Sequence, residues 1–155
     1  MRFAPKDILA EVRVIAVAIL GVAMLANCSS SRRTADDPKA FLQDYISQSF
    51  AVNQVGDRDV LIRYLTGAAK TRLAAWSDDQ FVDAFIKSKR QFVKLVFSEV
   101  KTQNPKEVAI TYELTYLDQS KGHDAKVTHK KFAQLVRSDD KWLISEVKNL
   151  KELIE

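Results

Sequence analysis

The hydrophobic positions of this chain fall into three regimes. An unbroken apolar run, Val14 to Ala26, comes first; positions spaced at three and four residues fill the middle; alternating positions fill the end. In the middle regime, Asp37 before Pro38 is a helix start, with a side-chain acceptor at the cap and a proline whose missing N–H is not needed there. Phe41, Leu42, Tyr45, Ile46 and Phe50 then form one apolar stripe, which Val52 to Gly56 breaks. Asp57 caps a second short helix that turns Val60, Leu61, Tyr64 and Leu65 inward. After Thr66-Gly67 a third piece carries Ala69, Leu73 and Trp76. Ser77-Asp78-Asp79-Gln80 reads as a capping box that opens a fourth helix. Phe81, Val82, Phe85 and Ile86 form its buried face, and Lys87, Lys89 and Arg90 complement its negative end.

The period changes near Phe92. Residues 92–101 are β-branched and aromatic, and Asn104-Pro105 is a turn. Val108, Ile110, Tyr112, Leu114 and Tyr116 alternate with Ala109, Thr111, Glu113 and Thr115, the clearest strand of the chain. A polar loop, Asp118 to Asp124, precedes a third strand over Ala125–Arg137. Its alternation shifts at Lys130-Lys131, which predicts a bulge. Asp139-Asp140 makes a tight turn into a fourth strand, Trp142–Val147, and Leu150, Leu153 and Ile154 are expected to close the chain against the core. Helices followed by a strand meander predict an α+β fold, with N-terminal helices packed on a curved four-stranded antiparallel sheet.

That element order, with segments such as Tyr112-Glu113-Leu114-Thr115-Tyr116-Leu117 and Lys141-Trp142-Leu143-Ile144, resembles the cone-shaped fold of the nuclear-transport-factor-2-like superfamily. The cystatin-like arrangement, one main helix over a meander, is the rival. The resemblance covers residues 38–155. It implies a cone whose interior holds a ligand cavity or, in some members, an isomerase or dehydratase site using Asp or His, and it implies dimerisation through the open sheet face in others.

The N-terminal run is too short to span a bilayer, which needs about 20 apolar residues, and it has no polar face. Arg2, Lys6 and Arg13 flank it. The sequence Leu25-Ala26-Asn27-Cys28 then resembles the signal peptide and lipobox of a bacterial lipoprotein, with Asn27 where the pattern has Gly, Ala or Ser. The expected organisation is residues 1–27 as signal peptide, 28–37 as lipidated Cys and flexible tether, and 38–155 as one α+β domain. The resemblance implies two or three acyl chains on Cys28, against one chain's merely reversible attachment. Ser29, in place of Asp, points to the outer membrane, on the periplasmic side. Cys28 is the only cysteine. An unmodified lone thiol in an oxidising compartment would pair between molecules.

Charge narrows the partners. The 155 residues carry 24 Lys+Arg and 20 Asp+Glu. Without Arg2, Lys6, Arg13, Asp7 and Glu11 a net charge of about +3 remains, with both signs interspersed, so a nucleic-acid reader is not indicated. Four glycines provide no phosphate-cradling loop, and no nucleophile elbow or paired-carboxylate motif is present. Two histidines do not make a zinc site, and no cofactor is implied. His123, beside Asp124, reads as a solvated loop residue, and His129 as a strand residue on a partly polar face. Tyr112 and Tyr116 read as core aromatics or as pocket rim. Glu113, on the opposite face, is expected to pair with Lys126 or Lys130. Arg32-Arg33, Lys87-Lys89-Arg90 and Lys130-Lys131 are short basic clusters of the kind usually solvated.

The leading expectation is a membrane-anchored, non-enzymatic domain that binds an envelope protein or a small apolar ligand. A small lyase or isomerase is the alternative; it requires a buried carboxylate or histidine, among Glu113, His129 and Asp83, facing a tyrosine in a pocket. A structural component that forms homodimers is the third.

Overall fold

The computed structural model describes residues 36–122 and 125–155. Cys28, Arg32-Arg33 and His123 lie outside the described residues, as do the signal peptide and nearly all of the tether. Helix α1 spans Pro38–Ala51; Asp37 Oδ1 accepts from the Lys39 N–H at 2.9 Å, with Pro38 in the first turn. A 3₁₀ turn, Val55–Asp57, leads into α2, Arg58–Ile62, and α3 covers Gly67–Ala74. The Ser77–Gln80 capping box opens α4, Asp78–Phe81. Beyond Phe81 the helix widens into a π-helical stretch, Val82–Lys87, instead of continuing as the α-helix predicted. Such widened turns recur where a side chain must be aimed. Here Phe85 stacks on Phe81 with ring centroids 4.8 Å apart.

Four antiparallel strands follow in the order β1-β2-β3-β4: β1 Arg90–Asn104, β2 Glu107–Asp118, β3 Lys126–Ser138 and β4 Lys141–Ile154. The α+β class, helices on an antiparallel meander, is as predicted. Register shifts interrupt β1–β2 pairing at three places. They interrupt β3–β4 pairing at Lys130/Lys131 and at Gln134/Leu135, where the extra residues are Leu150 and Ser145 of β4; the bulge predicted in the third strand itself is absent, and β3 keeps its alternation through Lys130-Lys131. Each extra residue bends its strand and increases the local twist. Asp139 and Asp140 form the β3–β4 turn with φ of 49° and 62°. Two left-handed residues match the twist of a two-residue hairpin.

Two extents differ from expectation. Arg90 does not end a helix; it begins β1, because Lys89 leaves the helix with φ 43°. Strand β4 runs on through Leu150, Leu153 and Ile154, which are 55%, 49% and 51% exposed and do not close the core. Residues 148, 149 and 151–154 pair with β3 and Leu150 is the extra residue of a bulge, so backbone hydrogen bonding prevails over side-chain burial there.

The core lies between the helices and one sheet face. Leu42 and Ile46 from α1, Leu61 from α2, Leu73 from α3 and Phe81 from α4 meet Ile110, Val127, Leu135 and Ile144. The chain after α2 lies along β4: the Thr66 N–H donates to the Ile144 carbonyl and the Ile144 N–H to the Tyr64 carbonyl, both at 2.9 Å. This contact covers an edge whose backbone groups would otherwise be open to pairing, and it fixes α3 over the sheet. Among the described residues no helix is long and apolar enough to cross a membrane.

Candidate functional site

Between α1, α3, the π turn and the β3–β4 half of the sheet lies a cavity of about 560 Å³, within the ~300–1,000 Å³ usual for small-molecule sites. Its wall mixes apolar and aromatic side chains with basic and amide ones. Tyr45 comes from α1, Ala69 and Leu73 from α3, Trp76 from the following turn, Phe85 from the π turn, and Val147 and Leu150 from β4. Trp76 and Phe85 face one another with centroids 6.0 Å apart. Arg72, Lys148 and Asn149, all exposed, stand where the cavity meets solvent. Arg72 is held in place by a 3.2 Å hydrogen bond from Nη1 to the Val147 carbonyl.

Lys131 is the unusual lining residue. It lies on β3 opposite a bulge whose extra residue is Leu150 of β4, and it points into the cavity from the inward face that Val127, Ala133 and Leu135 also occupy. Among the described residues no hydrogen bond or ion pair reaches its ammonium. Burial, reinforced by the nearby Arg90 guanidinium, pulls its pKa from 10.5 to about 8. Asn149 is its register partner on β4 and lines the same cavity. No lining residue is a carboxylate.

Arg90 lies just outside the lining. Its guanidinium carbon is 4.9 Å from the Phe85 ring centre, 5.2 Å from Phe50 and 5.7 Å from Tyr116. Three aromatic faces offset part of the cost of burying the cation. Nε and Nη2 are nevertheless buried with no hydrogen-bond acceptor. Burial lowers the Arg90 pKa from its usual value, against the opposing influence of Tyr116 and Asp118.

The residues singled out from sequence separate into different environments. Tyr112 is fully buried, and burial raises its pKa well above the phenol value, with Tyr45 adding to the effect. It is a core aromatic and does not line the cavity. Tyr116 packs against Arg90, Phe50 and His129. Glu113 is exposed on the outer face, in register with Lys130. Asp83 is exposed and paired with Lys87 at 2.8 Å. His129 is buried, with Nε2 2.7 Å from Glu152 Oε2, and Lys121 Nζ lies 2.9 Å from the same carboxylate's Oε1. The His129–Glu152 approach is close but poorly aligned, since neither ring nitrogen makes a directed hydrogen bond. Burial and Lys131 lower the His129 pKa, outweighing Glu152. Glu113, His129 and Asp83 therefore do not converge on the cavity. Among the described residues no three His, Cys, Asp or Glu side chains gather as a metal site would require.

Lys131 and Arg90 are what sequence reasoning missed. Both sat in short basic clusters read as solvated. The available signal was the alternation Val127, His129, Lys131, Ala133, Leu135, which places Lys131 on the inward face of β3.

No family model matches this chain, and no curated protein matches it. Similar solved structures exist. A SEC-C motif containing protein from Rhodopseudomonas palustris aligns with a TM-score of 0.53 at 14% identity, covering 75% of this chain and 80% of that one. The intermembrane space region of chloroplast protein ARC6 aligns at 0.48 and 13%, covering 70% and 93%. A Delta 5-3-ketosteroid isomerase from Mycobacterium sp. aligns at 0.43 and 16%, covering 74% and 98%. At such identities the likeness concerns the fold and not the chemistry of the site.

Proposed function

We propose that this domain is a small-ligand carrier or sensor, held on the periplasmic face of the outer membrane by acyl chains on Cys28, whose cavity takes a molecule with an apolar body. The observation that carries the reading is the aromatic-walled cavity of about 560 Å³. A nuclear-transport-factor-2-like frame, with its interior between helices and sheet, is in keeping with it. The cavity lining holds no carboxylate, so the Asp- or Glu-based proton transfer of an isomerase has no lining residue to carry it.

The test uses the full chain in lipid nanodiscs, with empty nanodiscs as the blank. Titration with the neutral dye N-phenyl-1-naphthylamine is expected to give saturable fluorescence enhancement. Ala69→Phe, which fills the cavity from α3, is expected to abolish it while near-ultraviolet dichroism stays native. Enhancement that does not saturate, or that survives in a folded Ala69→Phe variant, refutes the reading. The anchor is tested separately: mass spectrometry of the envelope-extracted protein should find diacylglyceryl on Cys28, and a bare thiol on a chain retaining Met1 would refute it.

A second reading, a homodimer through β1, is favoured by Phe92, Val93, Val96 and Val100, all exposed on a sheet edge. Sedimentation that shows only monomer at high concentration excludes it.

A further inference from the structure

We infer that the ligand of this cavity is a single-chain amphiphile with an anionic head, a carboxylate or a phosphate monoester, and that Lys131 is the residue that selects the head. The inference rests on the binding role proposed above and adds the chemical class of the ligand.

Three observations converge. First, Lys131 presents a cation inside an aromatic-walled cavity, and no acid of the described residues neutralises it. The Lys131 side chain is half-buried and its ammonium makes no hydrogen bond or ion pair among the described residues, so an anionic ligand group supplies the counter-charge that the fold leaves out. Second, Arg90 lies behind the Phe85 wall with two guanidinium nitrogens buried and unsatisfied. It adds a fixed positive field that any anion near Lys131 experiences in a low dielectric. Third, Arg72, Lys148 and Asn149 bring N–H donors to the opening, Lys148 while paired with the Glu146 carboxylate at 2.8 Å. Asn149 stands directly across from Lys131, so its amide and the Lys131 ammonium are placed to donate to the same head group. The opposite wall, Leu73, Trp76 and Phe85, is apolar and suits a hydrocarbon chain. A neutral ligand would leave Lys131 unpaired, and a cationic one would meet repulsion from Lys131, Arg72 and Arg90.

The experiment compares probes that share an eight-carbon chain and differ in the head: octanoate, octyl phosphate, 1-octanol and octylamine, with inorganic phosphate as a chain-free control. Binding to the full chain in nanodiscs is followed by Trp76 fluorescence, with a Trp142→Phe background to isolate that signal. Octanoate or octyl phosphate is expected to bind at least tenfold more tightly than octanol, and octylamine more weakly than both; which anion leads identifies the head. Inorganic phosphate is expected to bind more weakly than octyl phosphate. Lys131→Met is expected to cost the anions about tenfold and to reduce their preference over octanol by at least that factor.

Octanol binding as tightly as both anions, or anion binding unaffected by Lys131→Met, overturns the inference while leaving an apolar ligand site standing. Inorganic phosphate matching octyl phosphate also overturns it, because the chain then contributes nothing. Saturable binding of none of the four chains overturns the binding role itself.

Discussion

Replacing Lys131 by Met should stabilise this protein, although it removes a residue of the proposed site. The fall of the Lys131 pKa from 10.5 to about 8 means that the folded state holds the ammonium proton less firmly than the unfolded chain does. At about 1.36 kcal/mol per pH unit, the charged form costs the fold on the order of 3 kcal/mol. The sign follows from proton counting. Below pH 8 the lysine is charged in both states, so the whole penalty is present. Between pH 8 and 10.5 the folded state sheds the proton first, and the penalty fades. Met has a similar length, no charge and a ready fit to apolar surroundings. Urea unfolding of the full chain should therefore show Lys131→Met more stable by about 3 kcal/mol at pH 7, shrinking to about 1 kcal/mol at pH 10. A variant no more stable than the parent at pH 7, or a gap that does not narrow toward pH 10, would falsify the claim that an uncompensated cation sits in this cavity.

The same titration should govern ligand binding. Octanoate affinity should hold below pH 8 and drop about tenfold by pH 9 as Lys131 loses its proton, whereas octanol affinity should stay level. The groups facing Lys131 from neighbouring elements are Arg90, Arg72, Lys148, Tyr45, Tyr112 and His129; burial raises both tyrosines and lowers the histidine, so these three stay neutral across that window. A flat octanoate profile from pH 7 to 9 by calorimetry would contradict this. Away from the site, Asp140→Gly should stabilise by about 0.5 kcal/mol in urea unfolding, because Asp140 sits at φ 62° in a turn suited to glycine. Gly67→Ala should destabilise by about 1 kcal/mol by the same measurement. Its φ is +52°, and the added Cβ would meet only ordinary contact with the Ser145 carbonyl, so the cost is backbone strain.

Much of the framework was legible because local chemistry and tertiary packing agree. Asp37-Pro38 and Ser77–Gln80 start helices where their capping groups require, and Val108 to Tyr116 alternate because one sheet face is buried. Local and long-range demands diverge elsewhere. Leu150, Leu153 and Ile154 looked like a closing apolar segment, but Leu153 and Ile154 pair with β3, Leu150 bulges from the ladder, and all three stay exposed. The candidate site was harder to read than the core. Tyr116 and His129 were visible as pocket candidates, yet they pack against Arg90 and Glu152 away from the cavity lining. Lys131 was hidden because a charged residue beside another charged residue resembles a solvated pair. Only its register between Val127 and Ala133 distinguishes it, and reading a bulge into β3 at that point, where the structure has none, obscured the register. Arg90 was hidden for a related reason: its burial depends on Phe50, Phe85 and Tyr116, which are remote in sequence and meet only in the folded chain.

The most direct measurement is an isotope-filtered NMR experiment on the labelled full chain in nanodiscs with unlabelled octanoate. Cross-peaks are expected from the terminal methyl to the Trp76 ring and from the methylene beside the carboxylate to the Lys131 side chain. Cross-peaks confined to exposed β1 residues such as Phe92 and Val96, or none above those of empty nanodiscs, would contradict a cavity-lining cation that receives the head of an anionic amphiphile.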